Sequence, residues 1–170
     1  MPNTPAMIGQ GTTVWSQSED VTEEQHELVK LRHVHQAKGI LSSFGLEVFV
    51  EEEDKLDMAT ALSGSGPAYF FLVAESMIDA GVHMGFSRAV ATKLVEQTML
   101  GSALYLQASD KHPVVLRNNI TSPGGTTAAA LYRAEKNGFR AVIADSIWAA
   151  YERCLELGSP VPVQRKRPRS

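Results

Sequence analysis

The sequence predicts a mainly α-helical protein with a short α/β piece at its front. Three observations carry that expectation. From residue 54 to residue 158, apolar residues recur at intervals of three and four, as on one face of a helix. Helix start and stop signals punctuate the same stretch, among them Ser87, His112-Pro113 and Gly138. Before residue 54, two short segments have the β-branched or alternating character of strands.

The elements follow in order. Residues 1–11 hold Pro2, Pro5, Gly9 and Gly11, which read as a shaped loop. Thr12-Thr13-Val14-Trp15 reads as a strand. Thr22 followed by Glu23, Glu24 and Gln25 is a helix start, and the helix should run to about Ser43, before Gly45. Leu46, Val48 and Val50 alternate with Glu47, Phe49 and Glu51, a second strand. Residues 1–53 are thus a fragment of an α/β layer, too little to make a sheet alone.

Residues 54–158 read as nearly all helical. A short helix over Asp54–Leu62 should meet a tight corner at Ser63-Gly64-Ser65-Gly66-Pro67. Pro67 suits the first turn of the next helix, which carries Phe70, Phe71, Ala74, Met77, Ile78 and Gly81. Ser87 caps a further helix with Val90, Leu94, Met99 and Leu104. His112-Pro113 opens a short helix to about Asn119, and Ser122-Pro123-Gly124-Gly125 is a loop. The following helix should stop at Asn137-Gly138, and the last should run from about Phe139 to Gly158. Residues 159–170, with Pro160, Pro162 and Pro168, are expected to be a disordered basic tail. Ala80-Gly81 and Gly101-Ser102-Ala103 would let helix backbones approach closely. Long apolar helices in so small a domain need another surface, which an intertwined dimer supplies.

Composition excludes several classes. The 170 residues are 44% hydrophobic and 21% charged, enough for a core and a solvated surface. The net charge of −3 hides an asymmetry, because Arg165, Lys166, Arg167 and Arg169 cluster at the end. Without those four, 12 basic residues face 19 acidic ones, a balance of −7. So acidic a body is a poor partner for nucleic acid. Cys154 is the only cysteine, so no disulfide framework exists. No run of about 18 apolar residues is present, so no membrane span is expected. Met1-Pro2-Asn3-Thr4-Pro5 lacks the pattern of a signal peptide and reads as the middle of something longer.

Chemistry is densest at Thr121-Ser122-Pro123-Gly124-Gly125-Thr126-Thr127. Two glycines expose backbone N–H groups at a helix start, and the hydroxyls of Ser122, Thr126 and Thr127 stand beside them. That pattern suits a small anion, and the absence of lysine or arginine in the loop favours a carboxylate over a triphosphate. The alternative is an ordinary capped turn. No Gly-x-Gly-x-x-Gly fingerprint and no Walker loop occurs. His33 and His35 are two apart on a helix and share no face, so no metal site is expected. His112 reads as a cap, and Cys154 as apolar filler.

Several of these segments resemble the pyrroline-5-carboxylate reductase family. They are Met1-Pro2-Asn3-Thr4-Pro5, Thr60 to Tyr69 with its Ser-Gly-Ser-Gly-Pro-Ala-Tyr core, His112-Pro113 to Thr127, and Gly138-Phe139-Arg140 with the closing helix. The resemblance covers nearly everything except the tail. It implies a helical dimerisation domain of the 6-phosphogluconate-dehydrogenase-like C-terminal type over residues 54–158. Residues 1–53 would then be the end of a nucleotide-binding Rossmann domain. It also implies hydride transfer from NADPH or NADH to 1-pyrroline-5-carboxylate, giving L-proline, in a homodimer or higher oligomer of the cytoplasm or of an organelle. Ser122, Gly124, Gly125, Thr126 and Thr127 would bind the substrate, with the Thr127 hydroxyl near the ring nitrogen as the catalytic group. Asn3 and Thr4 would lie near the nicotinamide in one subunit, and Asn119 would reach the cofactor from the partner subunit. Asn118, Ala128 and Ala134 depart from the family's common residues at peripheral positions. On this reading the chain lacks its nucleotide domain and does not turn over alone. The competing reading is a non-catalytic helical dimer that binds proline or pairs with full-length subunits. A third, an interaction protein using the basic tail on RNA or membrane, is disfavoured by the acidic body.

Overall fold

The structure is a computed structural model that describes residues 1–17 and 33–158. The expected helix start at Thr22 and the basic tail lie outside the described residues, as do the side chains of His33 and His35. The chain divides into two compact units, Met1–Ala68 with Asp145–Ser170, and Tyr69–Ala144.

The first unit contains the α/β piece. A 3-10 turn, Thr4–Ile8, starts with Pro5 in its first turn and ends on Gly9 at φ +69°. Strands β1 (Gly11–Trp15) and β2 (Gly45–Phe49) pair in parallel, with Gly11 opposite Gly45 and Trp15 opposite Phe49. Helix α1, described over His33–Ser42, lies in the connection between them, as parallel strands require a crossover. Gly45 sits at φ +132°, and a Cβ there would run into the Gly11 backbone. The two strands therefore begin as close together as they do because Gly45 has no side chain, whereas a Cβ on Gly11 would collide with Ala6. At the far end, the Trp15 and Phe49 rings lie 4.8 Å apart. The Trp15 indole N–H donates to Glu47 Oε2 at 2.7 Å, and Lys38 Nζ stands 3.4 Å from Glu47 Oε1. The other edge of β1 is covered by residues 1–3. Met1 and Val14 exchange two backbone hydrogen bonds, at 2.6 and 2.9 Å, and the Asn3 side chain accepts from the Thr12 N–H at 2.8 Å.

Helix α2 (Lys55–Ala59) leads into α3 (Gly66–His83) through a π-helical turn, Thr60–Gly64. The sequence suggests a tight corner here. Instead, the backbone of Thr60 and Ser65 stays right-handed helical, and Ser65 N–H reaches back five residues to the Thr60 carbonyl at 2.8 Å. Gly-Ser composition is compatible with both outcomes, and one extra residue in the ladder absorbs the change of direction. The Thr60 and Ser63 hydroxyls donate to the carbonyls four residues before them, a pattern that bends helices.

In the second unit, α3 is followed by α4 (Arg88–Ala108), α5 (Pro113–Asn119) and α6 (Thr126–Lys136), and α7 (Phe139–Gly158) begins there. The expected caps are present. Ser87 Oγ accepts from the Val90 N–H at 3.4 Å, and His112 Nδ1 accepts from the Val114 N–H at 3.3 Å. Gly138, at φ +75°, ends α6. Gly81 and Ala91 bring α3 and α4 into contact, and a Cβ on Gly81 would lie 3.1 Å from that of Ala91.

Among the described residues the buried apolar set is small: Val14, Ala61, Ala91, Val95 and Leu116. Much larger side chains stay exposed on the helices, including Phe70 and Phe71, each 65% exposed, and Leu100 and Leu104. So much apolar surface on long helices is the mark of an interface awaiting a partner.

Candidate functional site

The glycine-rich loop closes on itself. The Gly125 N–H donates to the Ser122 carbonyl at 3.0 Å, which makes residues 122–125 a tight turn. Gly124 takes φ +71°, a region L side chains avoid. Gly125 is glycine for a different reason: a Cβ there would collide with the Ser122 hydroxyl. The turn delivers the chain into α6 with Gly125 as its N-cap, and no side chain caps the helix. The first N–H groups of α6, from Thr126, Thr127 and Ala128, have no partner within the helix. The first turn of α6 holds no acidic residue, while Arg133 and Lys136 stand in its last turn. The positive end of this helix therefore meets no carboxylate from its own first turn. An external one would gain roughly 0.3–1 kcal/mol from the helix dipole alone, before hydrogen bonds are counted.

The sequence-predicted residues fall into two groups. Ser122, Gly124, Gly125, Thr126 and Thr127 form one continuous surface at the start of α6; Ser122, Gly124 and Thr126 are exposed, while Gly125 and Thr127 are half-buried. Asn119 is the last residue of α5, exposed, and separated from Ser122 by Ile120 and Thr121. The Thr121 hydroxyl donates to the Arg117 carbonyl at 2.7 Å and ties that short link to α5. Asn3 and Thr4 belong to the first unit. The exposed Thr4 opens the 3-10 turn. The Asn3 amide is half-buried and occupied at both ends, accepting from the Thr12 N–H and donating through Nδ2 to the Ser63 carbonyl at 3.0 Å.

Sequence reasoning missed that last contact, which spans 60 positions, and nothing local in Pro-Asn-Thr-Pro announces it. It also missed the ion cluster of Glu135, whose two carboxylate oxygens share the Arg140 Nε–H, at 2.8 and 3.0 Å, and which lies 3.8 Å from Arg117 Nη1. Cys154 on α7 is half-buried in the first unit. Burial pushes its thiol pKa up, and a hydrogen bond with Asp57 adds to the shift. Among the described residues no group of three or more His, Cys, Asp or Glu side chains could hold a metal ion. No helix among them is long and apolar enough to cross a membrane.

Fold and site together define a class: a domain of long helices with exposed apolar faces and an uncapped, glycine-shaped helix start. The comparisons narrow this. Residues 53–157 match the family described as pyrroline-5-carboxylate reductase dimerisation, and the chain belongs to that family. A pyrroline-5-carboxylate reductase of Pseudomonas aeruginosa is 41% identical over 157 residues, covering 92% of this chain and 55% of its own length. One from Synechocystis is 42% identical over 158 residues, covering 93% and 56%. The chain thus spans about half the length of the curated relatives it matches. Among solved structures, the Plasmodium falciparum pyrroline carboxylate reductase with NADP bound superposes with a TM-score of 0.80 at 39% identity, over 94% of this chain and 62% of that one. The Coxiella burnetii pyrroline-5-carboxylate reductase gives 0.81 at 37% identity, over 92% and 55%.

Proposed function

We propose that this chain is the dimer-forming, substrate-binding part of a pyrroline-5-carboxylate reductase. The reaction adds a hydride to the imine carbon of 1-pyrroline-5-carboxylate and a proton to its nitrogen, giving L-proline, the last step of proline synthesis. NADPH or NADH supplies the hydride when bound. The relatives named above carry that activity in their names, and the Plasmodium falciparum structure is described with NADP bound. Thr4 of one copy and Asn119 of a second copy, both exposed, are suited to the nicotinamide end of such a cofactor. The sequence holds no dinucleotide fingerprint for the adenosine and pyrophosphate. We therefore expect the 170 residues alone to bind without turning over.

The observation that carries the reading is the uncapped, acid-free start of α6. The amides of Thr126 and Thr127 and the hydroxyls of Ser122 and Thr126 hold the substrate carboxylate. That leaves the Thr127 hydroxyl to hydrogen-bond the ring nitrogen. Rate enhancement comes from fixing the imine carbon in line with the hydride donor, not from a strong acid or base. The exposed apolar helices pair with a second copy to give a homodimer or higher oligomer. The location that goes with this reading is the cytoplasm, or an organelle where a targeting segment lies upstream.

Calorimetric titration with L-proline tests the site. Thr127→Ala weakens binding about tenfold, the loss of one good hydrogen bond. Gly125→Ala removes binding by closing the turn against Ser122, with the far-ultraviolet circular dichroism unchanged. Equal affinity in all three proteins overturns the carboxylate site.

A further inference from the structure

We propose that Asn3 is a positioning residue, the donor that locks the start of α3 to the outer edge of β1, in place of a backbone N–H that Pro67 cannot supply. In a helix the carbonyl of residue i accepts from the N–H of residue i+4. For Ser63 that partner is residue 67, which is proline and has no N–H. The backbone nevertheless remains helical from α2 through the π turn into α3. The next amide offers no substitute, because the Ala68 N–H donates to the Ser65 carbonyl at 3.0 Å. Ser63 is therefore left with a half-buried acceptor and no donor from its own helix. Asn3 Nδ2 fills that vacancy at 3.0 Å.

The other end of the same amide completes the lock. Asn3 Oδ1 accepts from the Thr12 N–H at 2.8 Å, on the edge of β1 that residues 1–3 cover. One planar amide thus joins a strand edge to a helix start, with its donor and acceptor each used once. Asparagine is the side chain that can do this: aspartate lacks the donor, and threonine and serine are too short to reach both ways. A consequence, which rests on the reductase reading, is that Asn3 serves the cofactor end of the site by fixing its loop and not by offering its amide. The lock itself does not depend on that reading and stands whatever the proline titration returns.

Hydrogen exchange and thermal melting on the full 170-residue chain test it. Asn3→Ala speeds exchange at the Thr12 amide and in the first turn of α3, each by about tenfold or more, as local opening becomes easier. Asn3→Asp keeps the acceptor and loses the donor, so Thr12 stays protected while the α3 start exchanges faster. Pro67→Ala restores an N–H for the Ser63 carbonyl, so in that background the melting-temperature loss caused by Asn3→Asp shrinks to less than half. Unchanged exchange in Asn3→Ala, or a loss at Thr12 and α3 that is the same for Asn3→Ala and Asn3→Asp, overturns the proposal. So does an undiminished loss in the Pro67→Ala background. If Pro67→Ala does not fold, the contrast between the two Asn3 variants decides alone.

Discussion

The α/β piece and the long helices of the second unit are held in opposite ways. The first has small area but dense polar wiring: paired strands, the Trp15–Glu47–Lys38 chain, and the Asn3 amide. The second has long helices and little of its own to bury. Apart from caps and short-range pairs, its cohesion rests on small contacts such as Gly81 against Ala91 and on the buried Val95 and Leu116. The difference teaches where each region's stability lies. Hydrogen-bond geometry is satisfied within the chain, whereas apolar area is satisfied only when a second surface arrives.

The largest expected effect separates the two directly. Leu100 and Leu104 lie one turn apart on α4, and both are about half exposed. Replacing both with glutamate puts two charges in the face that we assign to the dimer. Light scattering should then fall from near twice 18.5 kDa to a single chain, with affinity weakened by at least about a hundredfold, or ~2.7 kcal/mol. Exchange protection of β1 should survive. A wild-type chain that is monodisperse at one copy contradicts the contrast outright.

Gly45→Ala works on the other side. With φ at +132° and the Gly11 backbone in the way, the added methyl should cost about 2–3 kcal/mol. Urea unfolding followed by tryptophan fluorescence reads this through Trp15, while the association mass stays unchanged. Gly81→Val should cost roughly 1–3 kcal/mol by overpacking against Ala91. That loss should show as protein concentration-dependent melting if, as argued, α3 and α4 are stabilised by association.

The smallest effect concerns pH. The Cys154 thiol has its pKa raised above 9.0 by burial and by Asp57. The folded state therefore holds its proton where the unfolded chain releases it, and stability falls as pH rises through and beyond 9. The urea midpoint of Cys154→Ala should decline less steeply between pH 8 and 10 than that of the parent. Parallel declines would remove Cys154 from the account.

Helix limits were largely legible in the sequence because their signals are local. Ser87, His112-Pro113 and Gly138 each act within four residues, and each stands where the sequence puts it. The glycine-rich loop was legible for the same reason, since Gly124 and Gly125 shape their own turn. What stayed hidden depends on distance or on phase. The pairing of Gly11 with Gly45 and the reach of Asn3 to Ser63 join residues far apart in sequence. The π turn at Thr60–Gly64 is a matter of which carbonyl each amide selects, and residue preference hardly distinguishes four from five.

That turn has a bearing on how such chains can change over time. A turn closed five residues apart takes up one residue more than an ordinary turn, so the helix beyond it keeps its bearing. Deleting one residue here and closing the turn to ordinary spacing would leave Phe70, Phe71 and Met77 close to their present bearing, whereas deleting one from the ordinary turns of α3 would swing everything beyond it by about 100°. Residues 60–64 are therefore where this helical run can gain or lose a residue while the apolar face of α3 stays as it is.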